Sequence, residues 1–169
     1  IAPWATYNDV LKWYPCAFFD YNKKDAAGVA IDGIPVVKGA GSVTIKNGTI
    51  TNYDIGVYVG ASIDSTAKNL TIYGDDANAY GVEQNGGVGN TIDHLTISMV
   101  AYGLFLENGA ETLVTNNTIS DVAYGAYTAD ESNDQIIGNT MTDYTSAGWY
   151  DDYSAHQVYK NNSADGSLG

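Results

Sequence analysis

The 169-residue sequence contains no arginine, and its seven cationic side chains are all lysines. Twenty acidic residues bring the formal net charge to -13. Proteins that bind nucleic acids need a basic surface against the phosphates, and anionic membranes attract basic segments. The charge balance therefore argues against nucleic acid, an anionic membrane or a polyanionic substrate as the main partner.

Cysteine and long apolar runs are also scarce. The single cysteine, Cys16, cannot form an internal disulfide, and the sequence has no cysteine-based zinc cluster and no apolar run of membrane-spanning length. The chain begins at Ile1 rather than at Met, as expected of a processed, exported protein or of a chain cut at that boundary. In an exported protein Cys16 is a candidate for a disulfide between chains, with a buried free thiol as the alternative. We therefore expect an extracellular or cell-surface location.

Glycine, asparagine, threonine and tyrosine are abundant instead, with 19 Gly and 14 Tyr. Tyrosine and threonine favour strands, whereas glycine and asparagine favour turns. With 44% hydrophobic residues a packed core is expected. The composition predicts an all-β domain and excludes a helical bundle.

A repeat runs through the chain from Gly41 onward. Its first marker is an apolar residue after a threonine, with steps of 22, 25, 22, 22 and 23 residues between successive apolar positions. The marker occurs at Asn47-Gly48-Thr49-Ile50, Asn69-Leu70-Thr71-Ile72, His94-Leu95-Thr96-Ile97, Asn116-Asn117-Thr118-Ile119, Gly138-Asn139-Thr140-Met141 and, weakened, Asn161-Asn162-Ser163-Ala164. A second marker, a glycine between apolar or aromatic residues, runs in phase at Gly56, Gly81, Gly103, Gly125 and Gly148.

Each repeat thus holds two short strand-like pieces separated by turn residues. Pieces this short, at such fixed spacing, bury their apolar positions by stacking coil upon coil at about 4.8 Å. The sequence predicts a single-stranded parallel β-solenoid of five to six coils with 22 to 25 residues per coil. The expected core columns are Ile50, Ile72, Ile97, Ile119 and Met141, and Val57, Val82 and Leu104.

The two ends of the chain differ from the repeat. Residues 1–28 are predicted to form an aromatic-rich N-terminal cap, with one or two helical turns over 7–14 that Pro15 ends. Residues 29–169 are predicted to form the parallel β-helix. The last coil fades into a polar tail, and an uncovered end coil offers unpaired strand edges to another chain.

The pattern Asn-x-Thr-Ile followed by Tyr-Gly-Val/Leu-x-Val/Leu resembles the right-handed parallel β-helix repeats of the pectate-lyase-like superfold. The resemblance covers about residues 29–164 and is closest in character to microbial or archaeal cell-surface β-helix proteins. Polysaccharide lyases of this fold use an arginine or lysine base beside acidic metal ligands. With no arginine, and only Lys68 and Lys160 beyond the first coils, the resemblance places no lyase site on this sequence, and we assign no catalytic residue.

An asparagine column lies three residues before the repeated apolar position, at Asn47, Asn69, Asn116 and Asn161. Asparagine tolerates left-handed turns, and its amide can bond to the next coil in a ladder. All four also begin N-x-Ser/Thr sequons and are glycosylation candidates, although the repeat itself can generate the sequon. His94 takes the asparagine position in one coil, and we favour a structural substitution over a metal ligand or general base.

The acidic residues are scattered along the chain. Asp75-Asp76 and Asp151-Asp152 are adjacent pairs, Asp130, Glu131 and Asp134 lie close in sequence, and Asp121 and Asp143 share one column of the repeat. Such oxygens could hold Ca²⁺, and paired carboxylates could serve glycoside hydrolysis. We favour solvated turn acids, because exposure is the usual state of aspartate. No metal or other cofactor is expected, with Ca²⁺ at these turns as the alternative.

An aromatic column follows the repeat glycine at Tyr58, Phe105, Tyr127 and Tyr150, interrupted by Glu83. Period-two alternation directs these side chains outward. Tyr80, Tyr102 and Tyr124 precede the glycine and are expected to stack between coils. The stripe fits a lateral protein interface or ladder packing within one rod, and fits sugar binding less well.

These features favour a structural, self-assembling extracellular protein, such as a subunit of a sheath, surface layer or filament, rather than an enzyme. Its expected partners are copies of itself, with a glycan as a further candidate. The alternative is a carbohydrate-active enzyme or carbohydrate-binding module of the β-helix family.

Overall fold

The computed structural model describes residues 42–51, 53–74 and 79–166 with their side chains, and five earlier strands by their backbone. The earlier strands are β1 (Leu11–Lys12), β2 (Ala17–Phe19), β3 (Lys23–Lys24), β4 (Ala30–Asp32) and β5 (Pro35–Lys38). Leu11–Lys12 is a strand, so the helical turn predicted over 7–14 is wrong at these two residues. Apart from Leu11–Lys12, β2 and β3, residues 1–28 lie outside the described residues, Cys16 among them, and the cap therefore stays a prediction.

The remaining described strands form the coils. They are β6 (Thr44–Thr51), β7 (Ile55–Gly60), β8 (Thr66–Tyr73), β9 (Tyr80–Asn85), β10 (Thr91–Asp93), β11 (Thr96–Glu107), β12 (Leu113–Thr115), β13 (Thr118–Ala129), β14 (Gln135–Ile137), β15 (Thr140–Asp152), β16 (Val158–Lys160) and β17 (Ser163–Asp165). From β4 onward each strand pairs in parallel with its counterpart one coil later. The predicted all-β parallel solenoid is confirmed, with about five turns. In the described part of the chain there is no helix, and hence none that could cross a membrane.

The strand register follows the repeat. Ile50 pairs with Ile72, and Ile97 lies between Ile72 and Ile119 in the stack. The column continues through Met141 to Ala164. Since each step equals the spacing read from the sequence, the alignment of the repeats is confirmed. The predicted core columns are buried, and Ile72, Ile97 and Ile119 are fully enclosed.

The structure adds a third interior column that the sequence analysis did not resolve. Its buried members are Ile45, Ala67, Ile92, Val114 and Ile136, and the 45% exposed Tyr159 follows them in register on β16. Their sizes range from alanine to tyrosine, so no constant residue marks the position. Further strand residues such as Val59 and Leu106 are also buried, so each coil contributes more inward-facing positions than the two columns named from the sequence.

The repeat glycine marks the closest approach of adjacent coils. A Cβ atom on Gly56 or Gly81 would come within 3.0 Å of the next coil's glycine carbonyl oxygen. A Cβ atom on Gly103 would meet both the Gly125 carbonyl oxygen and the Ile119 side chain in the same way. Only a hydrogen fits here, which explains why the second marker of the repeat is a glycine.

The predicted asparagine column is one of the left-handed positions of each coil. Asn47, Asn69 and Asn116 have φ of 60°, 52° and 54°. His94, at 54°, and Gly138, at 69°, occupy the same position in their coils, followed by Asn161 at 55°. Asparagine and glycine are the residues that enter this region most readily, so the backbone requirement alone accounts for the column.

In the last described coil, partly buried or exposed aromatic residues take the register positions that aliphatic residues occupy before it. Tyr144 follows Val122 in register, Trp149 follows Ala126, and Tyr159 follows Ile136. Trp149 and Tyr159 pack edge to face with ring centroids 5.2 Å apart. Among the described residues, β16 and β17 pair only with the preceding coil.

Candidate functional site

The most extensive surface feature is an aromatic face built by two adjacent columns. One column is Tyr80, Tyr102 and Tyr124, and the other is Phe105, Tyr127 and Tyr150. Their register follows from the parallel pairing of β9, β11, β13 and β15. Glu83 stands between Phe105 and Tyr58 in the second column, as the sequence indicated.

The rings of each column are stacked. Tyr102 lies 5.1 Å from both Tyr80 and Tyr124, with interplanar angles of 8° and 4°. Tyr127 lies 5.1 Å from both Phe105 and Tyr150, at 14° and 18°. The two columns then meet edge to face, with centroids 5.4 to 6.1 Å apart. Each contact of this kind stabilises by about 0.5–1.5 kcal/mol beyond area burial, so the face is a rigid unit.

This stacking decides which part of the rings a ligand meets. The central rings, Tyr102 and Tyr127, have a parallel ring on each side. What remains accessible is their outer edges and hydroxyl groups, and the rings are half-buried except for Tyr150, which is 44% exposed. The face therefore offers a corrugated apolar surface with phenolic donors rather than open ring faces.

Charged groups border the aromatic face. Burial raises the pKa of Tyr127, and the nearby Asp152 carboxylate adds to the effect. The Tyr127 hydroxyl donates to Asp152 Oδ2 over 3.4 Å. Burial, with the charge of Glu107, also raises the pKa of Glu83. The phenol of Tyr127 is therefore a neutral donor at physiological pH.

A second polar site surrounds Asp93, at the end of β10. Its carboxylate accepts from Lys68 Nζ at 2.6 Å, His94 Nδ1 at 2.6 Å and Thr115 Oγ1 at 2.8 Å. Partial burial opposes ionisation, but these hydrogen bonds, with that of Lys68 foremost, hold the pKa of Asp93 well below its usual range. The cluster ties three successive coils together on the outside of the solenoid. His94 is thus held by its Nδ1 atom, with its side chain 55% exposed.

The predicted asparagine ladder is partly formed. Asn69 Nδ2 donates to Asn47 Oδ1 over 3.1 Å, whereas Asn116 Nδ2 instead reaches Asp93 Oδ1 over 3.4 Å. Asn47, Asn69, Asn116 and Asn161 are all exposed, so each sequon asparagine is accessible on the folded coil. Glycosylation of the four remains a prediction.

A continuous asparagine ladder lies one residue further on and was missed by the sequence analysis. Asn117 Oδ1 accepts the backbone N–H of Leu95 at 2.8 Å. Asn139 Oδ1 accepts that of Asn117 at 2.9 Å, and Asn162 Oδ1 accepts that of Asn139 at 2.9 Å. Each amide also donates to a carbonyl oxygen of the preceding coil, as Asn139 does to Val114 at 3.0 Å. The doublets Asn116-Asn117 and Asn161-Asn162 carried the only signal for this ladder.

Another polar column precedes the third strand of each coil, at Ser65, Asn90, Thr112, Asp134 and Gln157. The Asn90 Oδ1 atom accepts the Ser65 backbone N–H at 3.0 Å, and Asp134 Oδ1 accepts that of Thr112 at 2.7 Å. Glu131 lies beside this column. Asp134 is 0% exposed and Glu131 is 1% exposed, so the expectation of solvated turn acids is wrong for these two.

The other acidic turns are placed as follows. Asp121 and Asp143 share a register position and are exposed, as expected of turn acids. Asp151 accepts from the Tyr159 hydroxyl at 2.8 Å and from Thr128 Oγ1 at 3.1 Å. Asp75 and Asp76 lie outside the described residues. Within the described ranges, no group of three or more His, Cys, Asp or Glu side chains is arranged to hold a metal ion.

A small cavity lies among the first described coils. Its volume is about 10 Å³, and its lining includes Ile45, Val57, Val59 and Ile92. A space of this size holds at most one water molecule. It is too small to admit a sugar ring.

The sequence profile described as a right-handed β-helix region matches residues 32–168. The chain belongs to the right-handed β-helix family. The match spans the coils described above and fixes their handedness. Comparison with curated proteins and with solved structures gave no match. Because one fold hosts many activities, the role of this β-helix has to be argued from its surfaces.

Proposed function

We propose that this β-helix is a structural, self-assembling extracellular module, a subunit of a sheath, surface layer or filament. The rods would be built into an assembly by stacking and by lateral packing. The observation that supports the proposal is the aromatic face, whose six rings lie in register on four strands of one side of the solenoid.

The occupant we infer for the aromatic face is a second copy of the same chain. Tyrosine is enriched at protein interfaces because it combines apolar area with a hydroxyl. Rings already held by their neighbours lose little side-chain freedom on binding, so association is favoured by pre-organisation. A second copy carries the same corrugation at the same coil spacing, and grooves between its rings match ridges on the first.

The net charge of -13 opposes this association. Like-charged copies repel one another at low ionic strength, and salt screens the repulsion over about 10 Å at 0.1 M. Assembly should therefore increase with salt or with divalent cations. This behaviour also separates self-association from the binding of a cationic partner, which salt would weaken.

Carbohydrate binding is the alternative role for the same face. A sugar stacks on an open ring face, and the faces of Tyr102 and Tyr127 already have ring neighbours on both sides. Tyr150 is the most exposed ring of the face. Self-association therefore uses more of the surface that is available than sugar stacking does.

The test compares two tyrosines that are equally exposed. Tyr150 and Tyr73 are both 44% exposed, but only Tyr150 belongs to the aromatic face. We expect sedimentation velocity and negative-stain images of the unaltered chain in salt to show particles larger than the 18.0 kDa monomer. Tyr150→Ser should weaken association by about tenfold or more, as for an interface anchor, and Tyr73→Ser should leave it unchanged.

Two results would contradict the proposal. One is a monodisperse monomer at every salt and protein concentration, combined with retention on an insoluble polysaccharide that Tyr150→Ser abolishes, which would favour carbohydrate binding. The other is equal loss of association in Tyr150→Ser and Tyr73→Ser, which would place the contact elsewhere.

A further inference from the structure

Glu131 and Asp134 lie together inside a bend of the solenoid, in the segment between β13 and β14. Each uses one carboxylate oxygen to hold the preceding coil. Glu131 Oε1 accepts the Gly109 backbone N–H at 3.0 Å, and Asp134 Oδ1 accepts that of Thr112 at 2.7 Å. Glu131 Oε1 also accepts from Gln84 Nε2 at 3.3 Å.

The second oxygen of each carboxylate is the unusual feature. Glu131 Oε2 and Asp134 Oδ2 are both buried, and neither makes a hydrogen bond of good geometry to a donor among the described residues. The Gln157 amide lies near Asp134 and lowers its pKa, but burial outweighs this effect. The two carboxyl groups lie within hydrogen-bonding reach of each other. Two ionised carboxylates in that position would repel strongly in a medium of low dielectric, and each would leave a buried lone pair unsatisfied. A single proton between them removes both costs.

We propose that Glu131 and Asp134 share one proton inside the β-helix, and that this proton locks their coil to the preceding coil. The proton would sit on Glu131 Oε2 and be donated to Asp134 Oδ2. Each carboxyl group then has a partner for both oxygens, and the hydrogen bonds to Gly109 and Thr112 are kept. Ionisation of the pair would loosen the bend without removing any side chain.

The surroundings of the pair favour the protonated state. Asp151 on β15 is the nearest further charge, and it is an anion. The other groups that face the pair are neutral, namely Gln84, Thr112 and Gln157, and the buried Gln157 amide makes no hydrogen bond of good geometry among the described residues. No described cation makes an ion pair with either carboxylate. A bound proton is therefore the means by which the negative charge of this carboxyl pair is reduced.

Burial, reinforced by the charge of Asp134, raises the pKa of Glu131 to about 8. Burial also raises the pKa of Asp134. A folded-state pKa above the unfolded value of 4.5 means that folding takes up a proton between the two values. The contribution is complete below about pH 4.5 and is lost progressively as pH rises to about 8. The unfolding constant should rise by up to tenfold per pH unit in that window.

The experiment measures urea unfolding between about pH 5 and pH 9 for the whole chain and for Glu131→Gln. The glutamine amide donates to Asp134 at every pH, so this variant should lose the slope between about pH 5 and 8. Glu111→Gln is the matched control, because Glu111 is exposed, and it should retain the slope. In the unaltered chain the amide resonances of Gly109 and Thr112 should shift together, with a midpoint near pH 8.

Asp134→Asn keeps the proposal testable if Glu131→Gln does not fold. It supplies an amide donor to Glu131 Oε2, so Glu131 should ionise more easily and the Gly109 amide should titrate at least one pH unit lower. A flat stability profile with unmoved Gly109 and Thr112 amides would overturn the proposal. A chelator that destabilises the unaltered chain at pH 7 but not Glu131→Gln, with stability restored by Ca²⁺, would also overturn it, because the pair would then hold a cation.

Discussion

Two kinds of interior column run along this solenoid and are buried to the same extent. Ile97, in an aliphatic column, is 0% exposed, and Asn139, in the buried asparagine ladder, is 1% exposed. They differ in their place along the coil. The aliphatic columns lie in the strands, which pair in parallel with the strands of the adjoining coils. The polar columns lie at the bends, where the chain turns away from that strand pairing.

The comparison shows how the solenoid satisfies its backbone. At a bend the N–H of Leu95, Asn117 or Asn139 has no backbone acceptor in the adjoining coil, and a side-chain oxygen takes that place. The aliphatic columns stabilise the folded chain in proportion to the apolar surface that they bury, at about 25 cal/mol per Å². The polar columns add little net free energy when complete, but a single missing member leaves buried groups unsatisfied.

The largest effect is expected when a charged side chain replaces a residue of an aliphatic column. Ile97→Asp places a carboxylate in the middle of an aliphatic column, between Ile72 and Ile119. Burial of an unpaired charge, together with lost packing, should destabilise by about 4 kcal/mol or more. The coils on both sides depend on this contact, so circular dichroism should show loss of strand signal.

Ile97→Val is the matched control, since it removes one methyl group and should cost only about 1 kcal/mol. If Ile97→Asp were as folded as the unaltered chain, residue 97 would not be part of the stacked interior.

An intermediate effect is expected when a bend loses its polar member. Asn139→Ala removes the acceptor for Asn117 and the donors to Val114 and Asn162. Buried groups left without partners should destabilise the chain by about 2–3 kcal/mol, measured as a lower urea midpoint. The damage should remain local, with faster hydrogen exchange at Asn117 and its neighbours.

The matched control is Asn116→Gly, one position before the buried ladder. Asn116 is exposed at φ 54°, and Gly138 already serves at this position in the next coil. The substitution should change stability by well under 1 kcal/mol. Equal effects of Asn139→Ala and Asn116→Gly would remove the distinction between the exposed turn and the buried ladder.

The sequence predicted the aliphatic columns because their pattern is periodic in both position and residue type. Ile72, Ile97 and Ile119 follow identical threonines, and the strand register reproduces their spacing. The outward direction of Tyr127 and its neighbours was equally predictable from alternation. The column that contains Ala67 was not predictable, because its register positions, from Ala67 to Tyr159, share neither side-chain size nor flanking sequence.

The polar columns escaped prediction for a physical reason. Asparagine, aspartate and glutamate are as suitable for a solvated turn as for a buried one, and only the fold separates the two. Asn116 and Asn117 are adjacent, yet the first is exposed and the second is buried. Asp134 shares its column with Thr112 and Asn90, so a polar residue recurs there at the repeat spacing, and that recurrence was the available signal.

The smallest effect is expected at the polar cluster outside the solenoid. Asp93→Asn replaces the carboxylate that binds Lys68, His94 and Thr115. The amide keeps one acceptor oxygen but loses the charge, so we expect a loss of about 1–2 kcal/mol at neutral pH. Urea unfolding against pH gives the test, with Asp54→Asn, at an exposed aspartate, as the control.

The pH dependence at Asp93 should have the opposite sign to that at Glu131. The hydrogen bonds lower the pKa of Asp93 below its ordinary value of 3.8, so its contribution is present above that value and is lost as the pH falls further. The difference between the unaltered chain and Asp93→Asn should therefore shrink below about pH 4. A constant difference down to pH 2 would mean that packing, rather than the carboxylate charge, joins these coils. With the expected result, protonation of Asp93 destabilises the fold at acidic pH, whereas ionisation of the Glu131–Asp134 pair destabilises it at alkaline pH.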